Sequence, residues 1–179
     1  MPPLKILVTG GVRSGKSRYA EGLLADASDV SYLAPGPVPD PVTDPEWATR
    51  VAAHRSRRPA GWTTVETDRL AEALQTSRPP VLLDDLGTWV SAVVDGFGTW
   101  EVPLVDWQPA FEAELAALVE AWRGVDGTAV AVTNEVGWGL VSPYRSGRVF
   151  ADLLGRTNQA VAAASDRVVL VVAGRPLEL

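Results

Sequence analysis

The sequence predicts an α/β fold, with a mostly parallel central sheet and helices on both of its faces. Three observations carry this. Short apolar runs at Ile6-Leu7-Val8, Val81-Leu82-Leu83, Thr128–Thr133 and Arg167–Val172 read as strands buried on both sides, since a half-exposed strand would alternate apolar with polar residues. Stretches with helical spacing separate these runs, the pattern of a parallel sheet with crossover helices. The chain has 179 residues, enough for one well-packed domain and few for two, so residues 1–179 read as a single unit.

The elements follow in order. Ile6-Leu7-Val8 leads into a glycine-rich turn and a helical stretch from Lys16 to about Ala25. Val30–Ala34 is a second short strand, running into Pro35-Gly36-Pro37-Val38-Pro39-Asp40-Pro41, where the prolines exclude both a helix and a central strand. Asp44-Pro45 has the form of an N-cap followed by proline at the first helical position, and the helix it opens is predicted to reach Arg58, before Pro59. Trp62–Glu66 reads as extended and Arg69–Gln75 as helical. The strand Val81-Leu82-Leu83 ends on Asp84-Asp85. Pro109–Trp122 is rich in alanine and leucine at helical spacing, Asn134–Arg145 is a glycine-containing loop, and Arg148–Ala164 is helical. Arg167–Val172 is the last clear strand, and no internal repeat is visible.

Composition narrows the function. Hydrophobic residues make up 46% and charged residues 21%, as in ordinary globular proteins. A net charge of -6 argues against nucleic acid or an anionic membrane as a general partner, so any polyanion must be met by a local concentration of positive charge. Cysteine is absent, which removes disulfides, thiolate catalysis and cysteine-ligated zinc. A single histidine excludes a multi-histidine metal site. No apolar run approaches the ~18 residues of a membrane span. Ile6-Leu7-Val8-Thr9 is too short for a signal-peptide core, so a cytoplasmic location is expected.

Gly10-Gly11-Val12-Arg13-Ser14-Gly15-Lys16-Ser17 satisfies G-x-x-x-x-G-K-[ST] and lies between a predicted strand and a predicted helix, the context a P-loop requires. Glycines let successive backbone N–H groups turn toward a phosphate, and the N-terminus of the following helix adds partial positive charge. Lys16 would neutralise β- and γ-phosphate charge, and the Ser17 hydroxyl would ligate Mg²⁺. A carboxylate at the end of a neighbouring buried strand should complete the metal site. Asp84 fits, with Asp85 as competitor; strand alternation sends the two to opposite sides, and Asp84 is the choice.

His54 sits within Arg50-Val51-Ala52-Ala53-His54-Arg55-Ser56-Arg57-Arg58-Pro59. In a helix, Arg50, Arg57 and Arg58 would share its face. Guanidinium groups can grip a triphosphate, and their field disfavours imidazolium, leaving a neutral imidazole able to attack phosphorus. From these residues alone, a solvated basic helix face is an equal reading.

The chain resembles the bifunctional adenosylcobinamide kinase/adenosylcobinamide-phosphate guanylyltransferase family of cobalamin biosynthesis. The resemblance runs through Val8–Ser17, the R-[IV]-x-x-H-[RK]-x-x-R-P segment Arg50–Pro59, Trp62 and Glu66, the strand ending at Asp84, T-N-E-V-G-x-G at Thr133–Gly139, G-R-x-N-Q at Gly155–Gln159, and V-V-L-V-V-A-G at Val168–Gly174. It implies a RecA-like P-loop domain that phosphorylates adenosylcobinamide with ATP or GTP, then transfers GMP from GTP to the product through His54. It also implies nucleotide contacts at Gly10–Ser17, at Pro35, Gly36 and Pro37, at Arg55, Ser56, Arg57 and Arg58, and at Glu66 and Asp84. A homo-oligomer, a trimer in that family, is implied too, with a corrinoid substrate. The chain departs from the family pattern at Pro35, at Asp85 and at Ser142-Pro143-Tyr144. Asn134 and Glu135 are open between substrate handling, metal support and loop structure. The tryptophans read as packing residues, with Trp138 the one suited to touching a large substrate. Two other readings fit the P-loop: a small-molecule kinase that transfers only the γ-phosphate, and a nucleotide-binding regulatory module.

Overall fold

Successive side chains of the inner strands leave the sheet on opposite faces, and both faces are buried. Leu7, Leu33, Leu83, Ala129 and Ala131 belong to one core, while Ile6, Val8, Tyr32, Leu82, Val130 and Val132 belong to another. This two-sided burial is what produces continuous apolar runs in the sequence. The computed structural model describes residues 3–36, 41–56, 58–98 and 100–179, with the side chains of Trp47, Arg50, Ala53 and His54 left aside.

In chain order the elements are β1 (Leu4–Thr9), α1 (Lys16–Leu23), β2 (Ser31–Ala34), α2 (Pro45–Arg55), β3 (Thr63–Glu66), α3 (Leu70–Thr76) and β4 (Val81–Asp84). Then come α4 (Leu86–Phe97), α5 (Leu104–Gly124), β5 (Thr128–Val132), α6 (Arg145–Ala163), β6 (Arg167–Val172) and β7 (Arg175–Glu178). Among the described residues the strands form one sheet in the order β3-β2-β4-β5-β1-β6-β7. All neighbouring pairs are parallel except β6 with β7. The fold is therefore the α/β class that the sequence predicts.

The helices divide unequally between the faces. Trp89 of α4, Phe111 and Trp122 of α5, and Leu153 and Val161 of α6 fill the larger core with Leu70 of α3. Ala20 of α1, with Leu24 and Trp62, covers the other. Four tryptophans (Trp62, Trp89, Trp107 and Trp122) are buried, as the packing reading expects, whereas Trp138 is 70% exposed. β5 stands between β1 and β4, so the loops leaving β1, β4 and β5 meet at one edge of the sheet.

Several boundaries differ from the sequence reading, each for a physical reason. α2 stops at Arg55, not Arg58; the Arg58 N–H donates to the Arg55 carbonyl at 3.1 Å, a tight turn that ends the helix. Arg58 therefore does not share a helical face with His54. Helix α4 is invisible to propensity because Leu86–Phe97 holds three valines and two glycines among its 12 residues. It forms because Asp85 caps it, accepting from the Thr88 N–H at 2.7 Å, and because Trp89, Val90 and Val94 enter the core. α5 begins five residues before Pro109, with Trp107 buried in its first turns, and α6 begins at Arg145, whose guanidinium is held by the Trp100 carbonyl. The short strand β7 pairs antiparallel with β6 through a turn in which Ala173 and Gly174 both have positive φ (51° and 78°). Arg167 and Glu178 make two cross-strand hydrogen bonds, at 2.7 and 2.8 Å.

Two glycines test this packing. A Cβ at Gly61 would lie 2.1 Å from the backbone carbonyl oxygen of Ser28, which cannot swing aside. Gly22, inside α1, has nothing within 4 Å. Gly61→Ala should cost about 1–3 kcal/mol in urea denaturation, as overpacking does. Gly22→Ala should instead stabilise by ~1 kcal/mol, the helix-propensity difference.

Candidate nucleotide-binding site

β1 delivers the chain to Gly10, and the turn that follows is shaped from both sides. Within it, the Ser14 N–H donates to the Gly11 carbonyl at 3.2 Å, and Gly15, at φ 95°, caps α1 in a left-handed conformation. From outside, the Gly174 N–H donates to the Ser14 carbonyl at 2.7 Å. A Cβ at Gly10 would stand 2.5 Å from the Val171 carbonyl oxygen, so the loop passes directly over β6. Val12 and Arg13 lie on its exposed outer side.

The lysine of the motif faces inward. Lys16 is buried at 8% exposure and its Nζ donates to the Gly11 carbonyl at 3.4 Å. Burial lowers its pKa below 10.5, opposed by the nearby carboxylates of Asp85 and Asp84, in that order. The Ser17 hydroxyl donates to Asp84 Oδ1 at 3.3 Å, so the carboxylate chosen from sequence does meet the P-loop serine. The pair offers two hard oxygens of the kind Mg²⁺ takes, and the residues fit that ion.

Asp85 does not turn away from the site as alternation predicts, because it lies past the end of β4, where strand geometry no longer applies. Its Oδ1 caps α4 and its Oδ2 accepts from Asn134 Nδ2 at 3.2 Å. The Asn134 carbonyl in turn accepts from Asn158 Nδ2 at 3.0 Å, and Asn158 Oδ1 accepts from the Thr133 hydroxyl at 2.5 Å. Glu135 is tied to the root of the P-loop: its Oε1 accepts from the Thr9 hydroxyl at 2.8 Å and its N–H donates to the Gly10 carbonyl at 3.1 Å. Asn134 and Glu135 thus hold the β5 loop against both the carboxylate strand and the phosphate loop.

The histidine segment reaches the same edge of the sheet. His54 lies in the last turn of α2, and its side chain, Arg57 and Pro37 fall outside the described residues. Arg55 pairs with Glu66 at the end of β3. The Ser56 N–H donates to the Ala52 carbonyl at 2.9 Å. Pro35 is buried at the end of β2, followed by Gly36 at φ 150°. The Arg58 guanidinium lies 3.3 Å above the centroid of the Tyr32 ring, and its Nη1 donates to the Thr64 hydroxyl at 2.8 Å. Tyr32 donates its hydroxyl to Asp84 Oδ2 at 2.6 Å. Burial and the Asp84 charge hold that phenol well above its usual pKa of 10.0, with Arg58 opposing.

Sequence reasoning missed Tyr32, Thr9 and Asn158 as parts of the site. Tyr32 carried a usable signal: a hydroxyl inside an otherwise apolar strand must find a partner when buried. A further depression of about 540 Å³ lies between α4 and α6, lined by Ser91, Trp100, Glu101, Ser146, Gly147 and Phe150. Phe150, one of its lining residues, lies beside Gly87, where Asp85 and Asn134 meet. Among the described residues no helix is long and apolar enough to cross a membrane.

Fold and site together define a P-loop nucleotide-binding protein of the α/β class. The family model described as cobinamide kinase / cobinamide phosphate guanyltransferase, CobU, matches residues 6–179, and the chain belongs to that family. It is 41% identical to the bifunctional adenosylcobalamin biosynthesis protein CobU of Escherichia coli K12, with 96% of this chain and 97% of that protein covered. The Salmonella typhimurium protein of the same name is 39% identical over the same shares. The Pseudomonas aeruginosa bifunctional protein CobP is 35% identical, covering 98% of this chain and 97% of its own. A solved ATPase of a bacterial type III secretion system shares the fold, with a TM-score of 0.54 at 14% identity over 93% of this chain and 50% of that one.

Two predictions follow from the loop. Gly10→Ala, driven into backbone oxygen, should abolish binding of a fluorescent GDP analogue, whereas Gly11→Ala, with nothing within 4 Å, should retain it. Because burial lowers the Lys16 pKa, some of its protons are lost on the alkaline side below 10.5, and a bound phosphate restores them. Calorimetry over the alkaline range below pH 10.5, in buffers of different ionisation enthalpy, should therefore register proton uptake on GDP binding, lost in Lys16→Met.

Proposed function

We propose that this protein phosphorylates adenosylcobinamide with ATP or GTP and then transfers GMP from GTP to the adenosylcobinamide phosphate, giving adenosylcobinamide-GDP. The observation that carries the reading is the unbroken contact from Arg58 through Tyr32 and Asp84 to Ser17, which joins the histidine segment to the phosphate loop.

In the first step Gly10–Ser17 hold the triphosphate, with backbone N–H groups of the loop and Lys16 against the β- and γ-phosphates. Ser17 and Asp84 would hold Mg²⁺, which would supply charge neutralisation on the phosphate oxygens. The acceptor hydroxyl attacks the γ-phosphorus, loses its proton, and the nucleoside diphosphate leaves. In the second step a neutral His54 nitrogen attacks the α-phosphorus of GTP; the bond to pyrophosphate breaks and a GMP phosphoramidate forms. An oxygen of adenosylcobinamide phosphate then displaces the histidine and regenerates it. Arg55, Ser56, Arg57 and Arg58 steady the phosphates, Glu66 accepts from a guanine N–H, and Pro35, Gly36 and Pro37 line the nucleotide. The family resemblance supports the last two assignments, together with a cytoplasmic homo-oligomer, a trimer, whose subunits complete one another's sites. The exposed Trp138 is the aromatic suited to contact the corrinoid.

Incubation with Mg²⁺ and GTP labelled at the α-phosphate should leave acid-labile, alkali-stable label on the native chain and none on His54→Ala. Absence of label while cobinamide is still phosphorylated would reduce the protein to a kinase.

A further inference from the structure

We propose that Tyr32 is a positioning residue shared by the two half-reactions: its hydroxyl aims the Asp84 carboxylate at Ser17, and its ring face seats Arg58 of the histidine segment. This rests on the reading of Ser17 and Asp84 as the Mg²⁺ pair.

The terminal torsion of an aspartate is broad and roughly two-fold, so a carboxylate at a strand end does not choose its own orientation. The 2.6 Å bond from Tyr32 to Oδ2 is short and charge-assisted, and it leaves Oδ1 directed at the Ser17 hydroxyl. Tyr32 is fit to act as a fixed reference. It is 1% exposed, its backbone is registered against Leu82 of β4, and Trp62 packs on its ring at 6.4 Å between centroids. Its donor and the carboxylate it orients therefore sit on adjacent, hydrogen-bonded strands.

The ring does the second task. The Arg58 guanidinium stands 3.3 Å above its centroid, within the range of a strong cation–π contact. Nη1 is bonded to Thr64, but the buried Nε has no hydrogen-bond partner among the described residues. The aromatic face is thus a principal support of this guanidinium. One side chain touches both the metal carboxylate and an arginine of the histidine segment.

The two tasks separate by substitution. Tyr32→Phe removes the hydroxyl and keeps the face; Tyr32→Leu removes both, with Tyr32→Met in its place should Leu cost the fold, as checked by circular dichroism. Binding of Mn²⁺, as a probe for Mg²⁺, is measured by electron paramagnetic resonance in the presence of GDP, alongside GDP affinity without metal. Tyr32→Phe should weaken Mn²⁺ about tenfold, the scale of a hydrogen bond to a charged group, with metal-free GDP affinity unchanged. At saturating metal, the Leu or Met variant should take up α-labelled GMP several-fold more slowly than Tyr32→Phe. Asp84→Asn is the reference. If it loses Mn²⁺ affinity while Tyr32→Phe binds as native, the positioning role is overturned alone. If Asp84→Asn itself binds as native, the metal-pair reading fails. Equal labelling rates in all Tyr32 variants would overturn the seating of Arg58.

Discussion

β5 stands between the strand that feeds the phosphate loop and the strand that ends on Asp84. Hydrogen-bonded strands lie about 4.8 Å apart, so the two strands are held two spacings, roughly 10 Å, from each other. That gap sets the scale of the site. Ser17, in the first turn of α1, reaches across it from one side, and Tyr32 reaches Asp84 from the other, where β2 borders β4. The inserted strand contributes its own loop at the centre, where Glu135 binds the root of the P-loop and Asn134 binds Asp85. Register at these parallel pairs therefore controls chemistry as much as it controls packing. A slip of one residue in β4 would put Leu83 or Asp85 in the register position of Asp84.

Burial gives this arrangement its rigidity. The inner strands pack on both faces, and the functional groups are attached at the strand ends, where the backbone is still fixed but side chains begin to meet solvent. Thr9, Lys16 and Thr133 are almost wholly buried, and each has a partner within the site. Arg55 and Glu66 sit further out, with 47% and 21% of their side chains exposed, so their ion pair contributes little to stability.

Much of this was legible in the sequence because the relevant signals are local. Gly10–Ser17 needs only its own residues and a flanking strand and helix to be read, and the apolar run before Asp84 points to a strand end unaided. The features that escaped depend on distant partners. Leu86–Phe97 has poor helix propensity and folds because Asp85 caps it and the core receives its tryptophan. The relation of Arg58 to His54 was read on a helix that ends three residues sooner, and the guanidinium found an aromatic face on β2 instead. β7 consists of exposed residues around a proline and carries no periodic signature; it exists because β6 offers an edge.

That last hairpin gives the molecule an unusual dependence of beginning on end. The turn at Ala173-Gly174 presses its glycine against Gly15 and ties its N–H to Ser14, while β6 runs beneath Gly10. The phosphate loop is written near the start of the chain, yet two of its walls are made by the final strands. A nascent chain carries the motif long before it can carry the shape. Long-range closure of this kind is slow to form. The shape of the phosphate loop therefore depends on β6 and the turn after it, far from the motif in sequence.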